Sequence, residues 1–184
     1  MKIGVLALQG NFREHAAMLR QLGADPVEVR KPEQLEGLDG LVVPGGESTT
    51  FMRLMRLYGL EDAIRRFEQP ILGTCAGLIV LDRDHLGLLD LEVERNAYGR
   101  QVASFEADLA LAGDDEPLRG VFIRAPRVRE VGPEVEVLAE LDGEPVLLRE
   151  GRFIVASFHP ELTDDTRVHE RLLNLVREER HVRA

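Results

Sequence analysis

The sequence predicts an α/β fold built on a sheet of parallel strands. Its first half alternates short apolar runs with segments of helical periodicity, which is typical of strand–helix–strand units. Its second half changes to short β-like runs separated by glycines. The 184 residues are enough for one well-cored domain and short for two, so we expect a single domain over residues 1–184.

The first half contains four predicted strands and four predicted helices. The apolar runs that predict strands are Ile3–Leu8, Pro26–Val29, Leu38–Val43 and Pro70–Gly73. The helical segments are Phe12–Leu22, Ser48–Leu57, Leu60–Phe67 and Cys75–Leu81. Because the run Ile3–Leu8 is continuously apolar, we expect it to be a central strand with both faces buried.

The second half is predicted to be mainly strands, followed by one helix. The β-like runs are Leu91–Glu94, Phe105–Leu111, Val121–Arg124, Val135–Leu141, Val146–Leu148 and Phe153–Ser157. Helical periodicity returns over residues 164–179. The charged tail Arg177–Ala184 is predicted to fray.

Charge and composition exclude several classes of function. The formal net charge of −10 argues against broad binding to nucleic acid or to anionic membranes. No apolar stretch approaches the ~20 residues needed to span a bilayer, and the N-terminal run is too short for a signal peptide. A single cysteine can form neither an internal disulfide nor a Cys-based zinc site, and we expect no metal and no cofactor. We expect a cytoplasmic protein in which Cys75 stays reduced.

The pentapeptide Gly73–Gly77 (GTCAG) is the first candidate for chemistry. It follows a short apolar strand and precedes a helix, as a nucleophile elbow does. Its glycines permit a sharp turn that projects the Cys75 sulfur beyond the sheet, and the helix N-terminus favours the thiolate. The amide of Ala76 would point toward a developing oxyanion. The alternative is a buried structural cysteine, as most lone cysteines are.

The segment Ser157–Glu161 (SFHPE) supplies a candidate base. It follows an apolar strand, so His159 would lie at a strand end, where α/β proteins collect functional groups. His159 could take the thiol proton and later protonate a leaving amine, with Glu161 orienting the imidazole. Alone, the motif could equally be a capping histidine beside an exposed glutamate.

The segment Pro44–Ser48 (PGGES) also lies between a strand and a helix. Its two glycines free the backbone to offer an amide to a substrate oxygen. The alternative is a plain turn in which Ser48 or Glu47 caps the next helix. A phosphate-binding P-loop is a worse interpretation, because the GK[ST] ending is missing.

In this order, PGGES, GTCAG and SFHPE resemble the class I glutamine amidotransferases. Longer stretches resemble one group more closely, the glutaminase subunits of pyridoxal 5′-phosphate synthase. These stretches are GVLALQGNFREH, ERNAYGRQVASFEADL, VFIRAP and SFHPELTDD, and the resemblance covers nearly the whole chain. The segment Leu81–Leu86 looks shorter than is common in that family.

The resemblance implies a fold and a set of site residues. The fold would be a three-layer α/β/α, flavodoxin-like architecture with a mixed, mostly parallel central sheet. Cys75, His159 and Glu161 would form the catalytic triad. The other roles are glutamine binding by Gly46, Glu47, Ser48, Arg95, Ile123 and Arg124, and an oxyanion hole formed by the amides of Gly46 and Ala76. For Arg95 and Arg124 the alternative is surface salt bridging.

The resemblance also implies a reaction and a partner. Glutamine would be hydrolysed to glutamate and ammonia, and the ammonia would pass to a separate synthase (lyase) subunit that makes pyridoxal 5′-phosphate. Two other functions remain open from the sequence: a glutaminase serving a different synthase, and a non-enzymatic redox or stress protein of the same shape. The ERN, GRQ and FIRAP stretches disfavour the first, and the His159–Glu161 pair disfavours the second.

The remaining histidines carry weaker predictions. In the family that the sequence resembles, the region of His15 faces the synthase, so a partner contact and a solvated helix position are both open. His85, His169 and His181 are predicted to be structural or exposed. The acidic clusters at 114–116 and 164–165 are interpreted as loop and helix-cap charges, since no His or Cys accompanies them.

Overall fold

The computed structural model describes residues 1–95 and 104–183. Its strands are β1 Lys2–Leu6, β2 Asp25–Val29, β3 Gly40–Val43, β4 Ile71–Thr74, β5 Leu91–Glu94, β6 Ser104–Leu109, β7 Leu118–Ile123, β8 Arg127–Val131, β9 Glu136–Leu141, β10 Glu144–Glu150 and β11 Phe153–Ala156. Its α-helices are α1 Phe12–Gln21, α2 Ser48–Leu57, α3 Leu60–Arg65, α4 Ala76–Leu81 and α5 Arg167–Arg183. Short 3-10 helices cover Pro32–Leu35 and Pro160–Leu162.

A seven-stranded sheet organises the molecule, in the order β2-β1-β3-β4-β11-β10-β9. The five strands from β2 to β11 are parallel, and β10 and β9 continue the sheet in antiparallel pairing. The parallel part has the 2-1-3-4-5 order of flavodoxin-like folds. The predicted α/β class and the mixed, mostly parallel sheet are therefore confirmed.

Alternate residues of the central strands pack their side chains in two separate hydrophobic cores, one on each face of the sheet. On β11, for example, Ile154 belongs to the core that contains α1 and α5, whereas Val155 belongs to the core with α2, α3 and α4. The hairpin β6–β7 extends the first core, and the pair β5–β8 borders the second. Helices thus cover both faces, which is the three-layer arrangement that the family resemblance implied.

The structure corrects two expectations, and one segment with predicted residues lies outside the part of the chain that it describes. The predicted fraying is not seen over residues 177–183, because α5 continues to Arg183, and Arg180 binds Asp39 in the loop before β3 at 2.7 Å. Strand β8 (Arg127–Val131) was not predicted, and it pairs with β5. Residues 96–103, which make up half of the ERNAYGRQVASFEADL motif, lie outside the described residues. Within the described ranges, no helix is long and apolar enough to cross a membrane.

Candidate active site

Four loops meet at the carboxyl edge of the sheet. They follow β1, β3, β4 and β11, and they carry Asn11, the segment 45–48, Cys75 and His159. This edge is where open α/β sheets bind ligands, because parallel strands all end there. The backbone N–H of Cys75 donates to Ala156 O at 2.8 Å, so the end of β4 is tied directly to the end of β11.

A cavity of about 680 Å³ opens between these loops. All of the predicted site residues except Glu161 line it: Gly46, Glu47, Ser48, Cys75, Ala76, Arg95, Ile123, Arg124 and His159. Asn11, Thr49, Ile79 and Ser104 complete the lining. The volume is typical of sites for small molecules.

Cys75 occupies a strained turn between β4 and α4. Its φ of 50° and ψ of −107° are unusual for a residue with a side chain, and such strain is typical of functional turns. The neighbouring glycines permit the turn: a Cβ on Gly77 would lie 2.0 Å from Val43 O. The Cys75 Sγ is 3.9 Å from the carbonyl oxygen of Ile123, and both residues line the cavity.

His159 lies next to Cys75, and Glu161 contacts the Nδ1 side of its ring. Its Nδ1 lies 2.7 Å from Glu161 Oε1, and both residues are about 95% buried. Asn11 Nδ2 donates to the same carboxylate oxygen at 3.1 Å. Gly45 leaves space for the ring, since a Cβ there would lie 2.6 Å from His159 Cε1 and 3.1 Å from Cys75 Cβ. The three predicted triad residues are therefore brought together as the motifs suggested.

The charges of the pair favour an imidazolium–carboxylate arrangement. Burial by itself would lower the pKa of His159, but its hydrogen bonds with Cys75 and Glu161 raise that pKa above its ordinary value. Burial would raise the pKa of Glu161, but the nearby His15 and His159 hold that pKa below its usual range. Glu161 is thus an ionised partner that stabilises positive charge on His159.

The segment 45–48 both lines the cavity and begins α2. The carboxylate of Glu47 caps the helix by accepting from the N–H groups of Thr49 and Thr50 at 2.9 and 2.7 Å. Hydrogen bonds from Thr50 and Thr49 lower the pKa of Glu47 to about 2. The Glu47 N–H donates to Gln9 Oε1 at 3.1 Å, and Gly46 has a φ of 144° that favours glycine. Of the two predicted caps, Glu47 is the one that forms.

Arg95 and Arg124 are both at the cavity rather than at a distant surface. Arg95 Nη1 donates to Thr49 Oγ1 at 2.7 Å, and its Nη2 lies 3.1 Å from His85 Nε2. Arg124 has a positive φ of 46°, directly after Ile123 at the end of β7. Two guanidinium groups at one cavity can receive the carboxylate of an amino acid.

The expectation for His15 is wrong in both of its forms. His15 is fully buried, so it is neither solvated nor exposed for contact with a partner. Its Nδ1 lies 2.8 Å from His169 Nε2, and its Nε2 lies 3.1 Å from Thr74 Oγ1 and 3.4 Å from Glu161 Oε2. No local motif indicated this group, because its members come from α1, β4, α5 and the segment after β11.

Comparison with known proteins identifies the family. The model of the SNO glutamine amidotransferase family matches residues 5–178. The chain belongs to the SNO glutamine amidotransferase family. A relative from Thermosipho africanus, named pyridoxal 5′-phosphate synthase subunit PdxT, is 51% identical over 96% of this chain and all of that protein. A relative of the same name from a Geobacillus strain is 53% identical over 97% of this chain and 98% of that protein.

Solved structures place this family member in the same fold group. A crystal structure of a glutamine amidotransferase has 52% sequence identity and a TM-score of 0.90, covering 95% of this chain and 98% of that one. A Thermoplasma acidophilum protein described as a putative GMP synthase subunit has a TM-score of 0.80 at 19% identity, covering 100% of this chain and 97% of that one, and shows the shared fold alone. Among the residues that the structure describes, no group of three or more His, Cys, Asp or Glu could hold a metal ion.

Proposed function

We propose that this chain is the glutaminase subunit of a pyridoxal 5′-phosphate synthase. It would hydrolyse L-glutamine to L-glutamate and ammonia, and deliver the ammonia to the synthase (lyase) subunit. The observation that carries the proposal is the convergence of Cys75, His159 and Glu161 at one cavity edge, in a family of glutamine amidotransferases. Relatives at 51–53% identity over nearly the whole chain carry the name of that synthase subunit.

In the first half-reaction, the Cys75 thiolate attacks the side-chain amide carbon of glutamine. The substrate would be held by Gly46, Glu47, Ser48, Arg95, Ile123 and Arg124. The amides of Gly46 and Ala76 would stabilise the oxyanion of the tetrahedral intermediate. His159, as an imidazolium held by Glu161, gives its proton to the departing nitrogen, so that the C–N bond breaks and a γ-glutamyl thioester and ammonia form.

In the second half-reaction, water replaces ammonia. His159, now neutral, takes a proton from the water as it attacks the thioester carbon. The C–S bond then breaks, and glutamate leaves as Cys75 returns to its thiolate form. Glu161 supports both half-reactions because it remains ionised and keeps the imidazole in one orientation.

The ammonia needs an acceptor, and we propose that a separate synthase subunit provides it in a hetero-oligomeric complex. Free ammonia is largely protonated near neutral pH and is then no nucleophile, so sheltered transfer has a chemical motive. We also propose that the complex acts in the cytoplasm, where the lone Cys75 stays reduced. Activity of the glutaminase is expected to rise when the synthase subunit is present.

A steady-state glutaminase assay with and without the synthase subunit tests these statements. Cys75→Ala is expected to lower glutamate release roughly 10³-fold or more, because the covalent step is lost. As a matched control, Val182→Ala changes an exposed side chain in α5, far along the chain from the motifs, and should keep full activity.

Three results would count against the proposal. Unchanged turnover in Cys75→Ala would exclude the mechanism. Equal activity with and without the synthase would exclude activation by the partner. Failure of a glutamine-analogue alkylating agent to label Cys75, even with the synthase present, would favour a non-enzymatic role for this thiol.

A further inference from the structure

Two buried histidines lie next to the proposed triad, and neither has a part in the proposed glutaminase reaction. His15 on α1 and His169 on α5 are both fully buried. Their rings lie 5.0 Å apart, with His15 Nδ1 at 2.8 Å from His169 Nε2. On its other side, His15 Nε2 faces Thr74 Oγ1 at 3.1 Å and Glu161 Oε2 at 3.4 Å. A polar path therefore runs from α5 to the carboxylate that holds His159.

Both imidazoles are neutral near pH 7. The pKa of His169 is lowered to about 3, mainly by burial and in smaller part by the neighbouring His15, while Glu161 opposes the shift. Burial also lowers the pKa of His15, where Glu161 and Glu14 oppose the shift and His159 adds to it. A neutral imidazole has one N–H donor and one acceptor nitrogen, so each ring must be in a defined tautomer.

The surroundings of His169 select its tautomer. Its Nδ1 is buried and has no hydrogen-bond partner within the described residues. A buried N–H without a partner is costly and rare, so the proton belongs on Nε2, where it is donated to His15 Nδ1. His15 must then accept on Nδ1 and carry its own proton on Nε2. That proton is donated to Thr74 Oγ1, and Glu161 Oε2 lies 3.4 Å from the same nitrogen.

We propose that His15 is a positioning residue that holds Glu161 in place for His159, and that His169 fixes the tautomer in which His15 can do so. The inference rests on the proposed glutaminase function. The Glu161 Oε1 already receives Asn11 Nδ2 and faces His159 Nδ1, at 3.1 and 2.7 Å. The Oε2 atom is buried without a hydrogen bond in the described residues. His15 Nε2 lies 3.4 Å from it, so the positive hydrogen that this nitrogen donates to Thr74 Oγ1 is also close to the carboxylate.

In this tautomer the hydrogen on His15 Nε2 favours the observed orientation of the carboxylate. In the opposite tautomer, the partial negative charge of an unprotonated Nε2 would lie 3.4 Å from the negative Oε2 and repel it. Glu161 would then turn, and its contact with His159 would lengthen. His169 never touches Glu161 in this chain of contacts, yet its N–H decides which nitrogen of His15 carries the proton.

Variants of His15 test the positioning role in the complex with the synthase subunit. His15→Leu fills the space but removes the N–H, and should lower kcat roughly 10–100-fold with little change in KM for glutamine. His15→Gln places an amide N–H near the position of Nε2 and should restore most of kcat. His15→Leu should also shift the pH profile of kcat/KM, which lost packing alone would not do.

Variants of His169 test the tautomer step. His169→Leu removes the donor to His15 Nδ1 and should lower kcat as His15→Leu does, whereas His169→Gln keeps a donor and should not. The double variant His15→Leu/His169→Leu should be no worse than the worse single variant, because both changes break one path. His181→Leu on the same helix α5 is the matched control, since His181 is exposed and should leave the kinetics unchanged.

A measurement on the unaltered chain keeps the test independent of folding defects and of catalysis. The ¹⁵N chemical shifts of the imidazole nitrogens should show protonated Nε2 and unprotonated Nδ1 on both His15 and His169. Protonated Nδ1 on His15, or wild-type kcat and pH profile in His15→Leu, would overturn the proposal. If Cys75→Ala retained glutaminase activity, the proposed function would fail, while the tautomers would still be read from the same spectrum.

Discussion

At the scale of single residues, the guanidinium of Arg95 is held at the cavity by two side chains, His85 and Thr49. His85 accepts on Nε2 from Arg95 Nη2 at 3.1 Å, and its Nδ1 donates to Asp82 Oδ1 at 2.7 Å. Asp82 is fully buried, and Thr49 Oγ1 holds the other branch of the guanidinium. His85 thus links a buried carboxylate to a cavity arginine, and this link would pre-organise Arg95 for the substrate carboxylate that we propose it binds.

This link predicts a defect in glutamine binding rather than in chemistry. His85→Leu should raise KM for glutamine by roughly tenfold to 150-fold, the range expected for losing one hydrogen bond to a charged group, with kcat nearly unchanged. His85→Gln keeps an acceptor near Nε2 and is the matched control. Steady-state kinetics in the synthase complex give both constants, and a fall in kcat at unchanged KM would contradict this role.

The sequence predicted the residues that local motifs carry, and missed those that meet only through the fold. GTCAG and SFHPE each place a side chain at a strand end within five residues, so local turn chemistry was sufficient to single out Cys75 and His159. His15 and His169 are 154 residues apart, and nothing in their neighbours marks them as a pair. Only the packing of α1 beside α5 brings their rings together.

At the scale of elements, the elbow between β4 and α4 requires a residue without a side chain at position 77. Gly77 packs directly on β3, where an added Cβ would come within 2.0 Å of Val43 O. That neighbour is backbone in a central strand and cannot move aside without disturbing the sheet. The close approach fixes where α4 begins, and therefore where the Cys75 sulfur lies.

Gly77→Ala should therefore destabilise the protein by about 3 kcal/mol or more, as overpacking in a rigid core does. Urea unfolding followed by circular dichroism measures the change in the free energy of unfolding. Gly113→Ala is the matched control: it has a φ of +82° but no atom within 4 Å of the added Cβ. It should cost only about 1–2 kcal/mol from the left-handed backbone. Equal losses in the two variants would show that crowding at the elbow is not what matters.

The predicted bounds of helices and strands agreed best with the structure where apolar periodicity was strong, and least where it was weak. The bounds of α2 (Ser48–Leu57) and β5 (Leu91–Glu94) matched the predictions. Strand β8 (Arg127–Val131) was not predicted, because its sequence RVREV is mostly charged and only Val128 is buried. The end of α5 was missed because its last turns are polar, and an ion pair to Asp39 holds them instead of apolar packing.

At the scale of the whole molecule, α5 contributes apolar side chains to the hydrophobic core and carries His169, which we propose supports the active site. Its apolar face packs on the sheet through Val168, Leu172 and Val176, in the core that also contains α1. His169 lies within this apolar surrounding, and its neutral form is the one that can be buried there. The folded protein therefore carries a histidine that resists protonation, whereas the unfolded chain does not.

That difference makes stability depend on pH in a defined window. The pKa of His169 is 6.5 in the unfolded reference and about 3 in the folded protein. Between these values the unfolded chain binds one more proton at this residue, so stability falls as the pH falls, by up to about 1.4 kcal/mol per pH unit. Above pH 6.5 this residue contributes no slope, because it is neutral in both states.

His169→Gln should remove this contribution. As the pH falls from 6.5 to about 3, the wild type should lose unfolding free energy relative to His169→Gln. Above that range the difference between the two proteins should be constant. Urea unfolding at a series of pH values measures both curves, and taking their difference cancels the titration of shared groups such as Glu161. His181→Gln, an exposed change on the same helix, should run parallel to the wild type. Parallel curves for His169→Gln as well would mean that His169 titrates alike in the folded and unfolded states, and that the pair with His15 is not a neutral one.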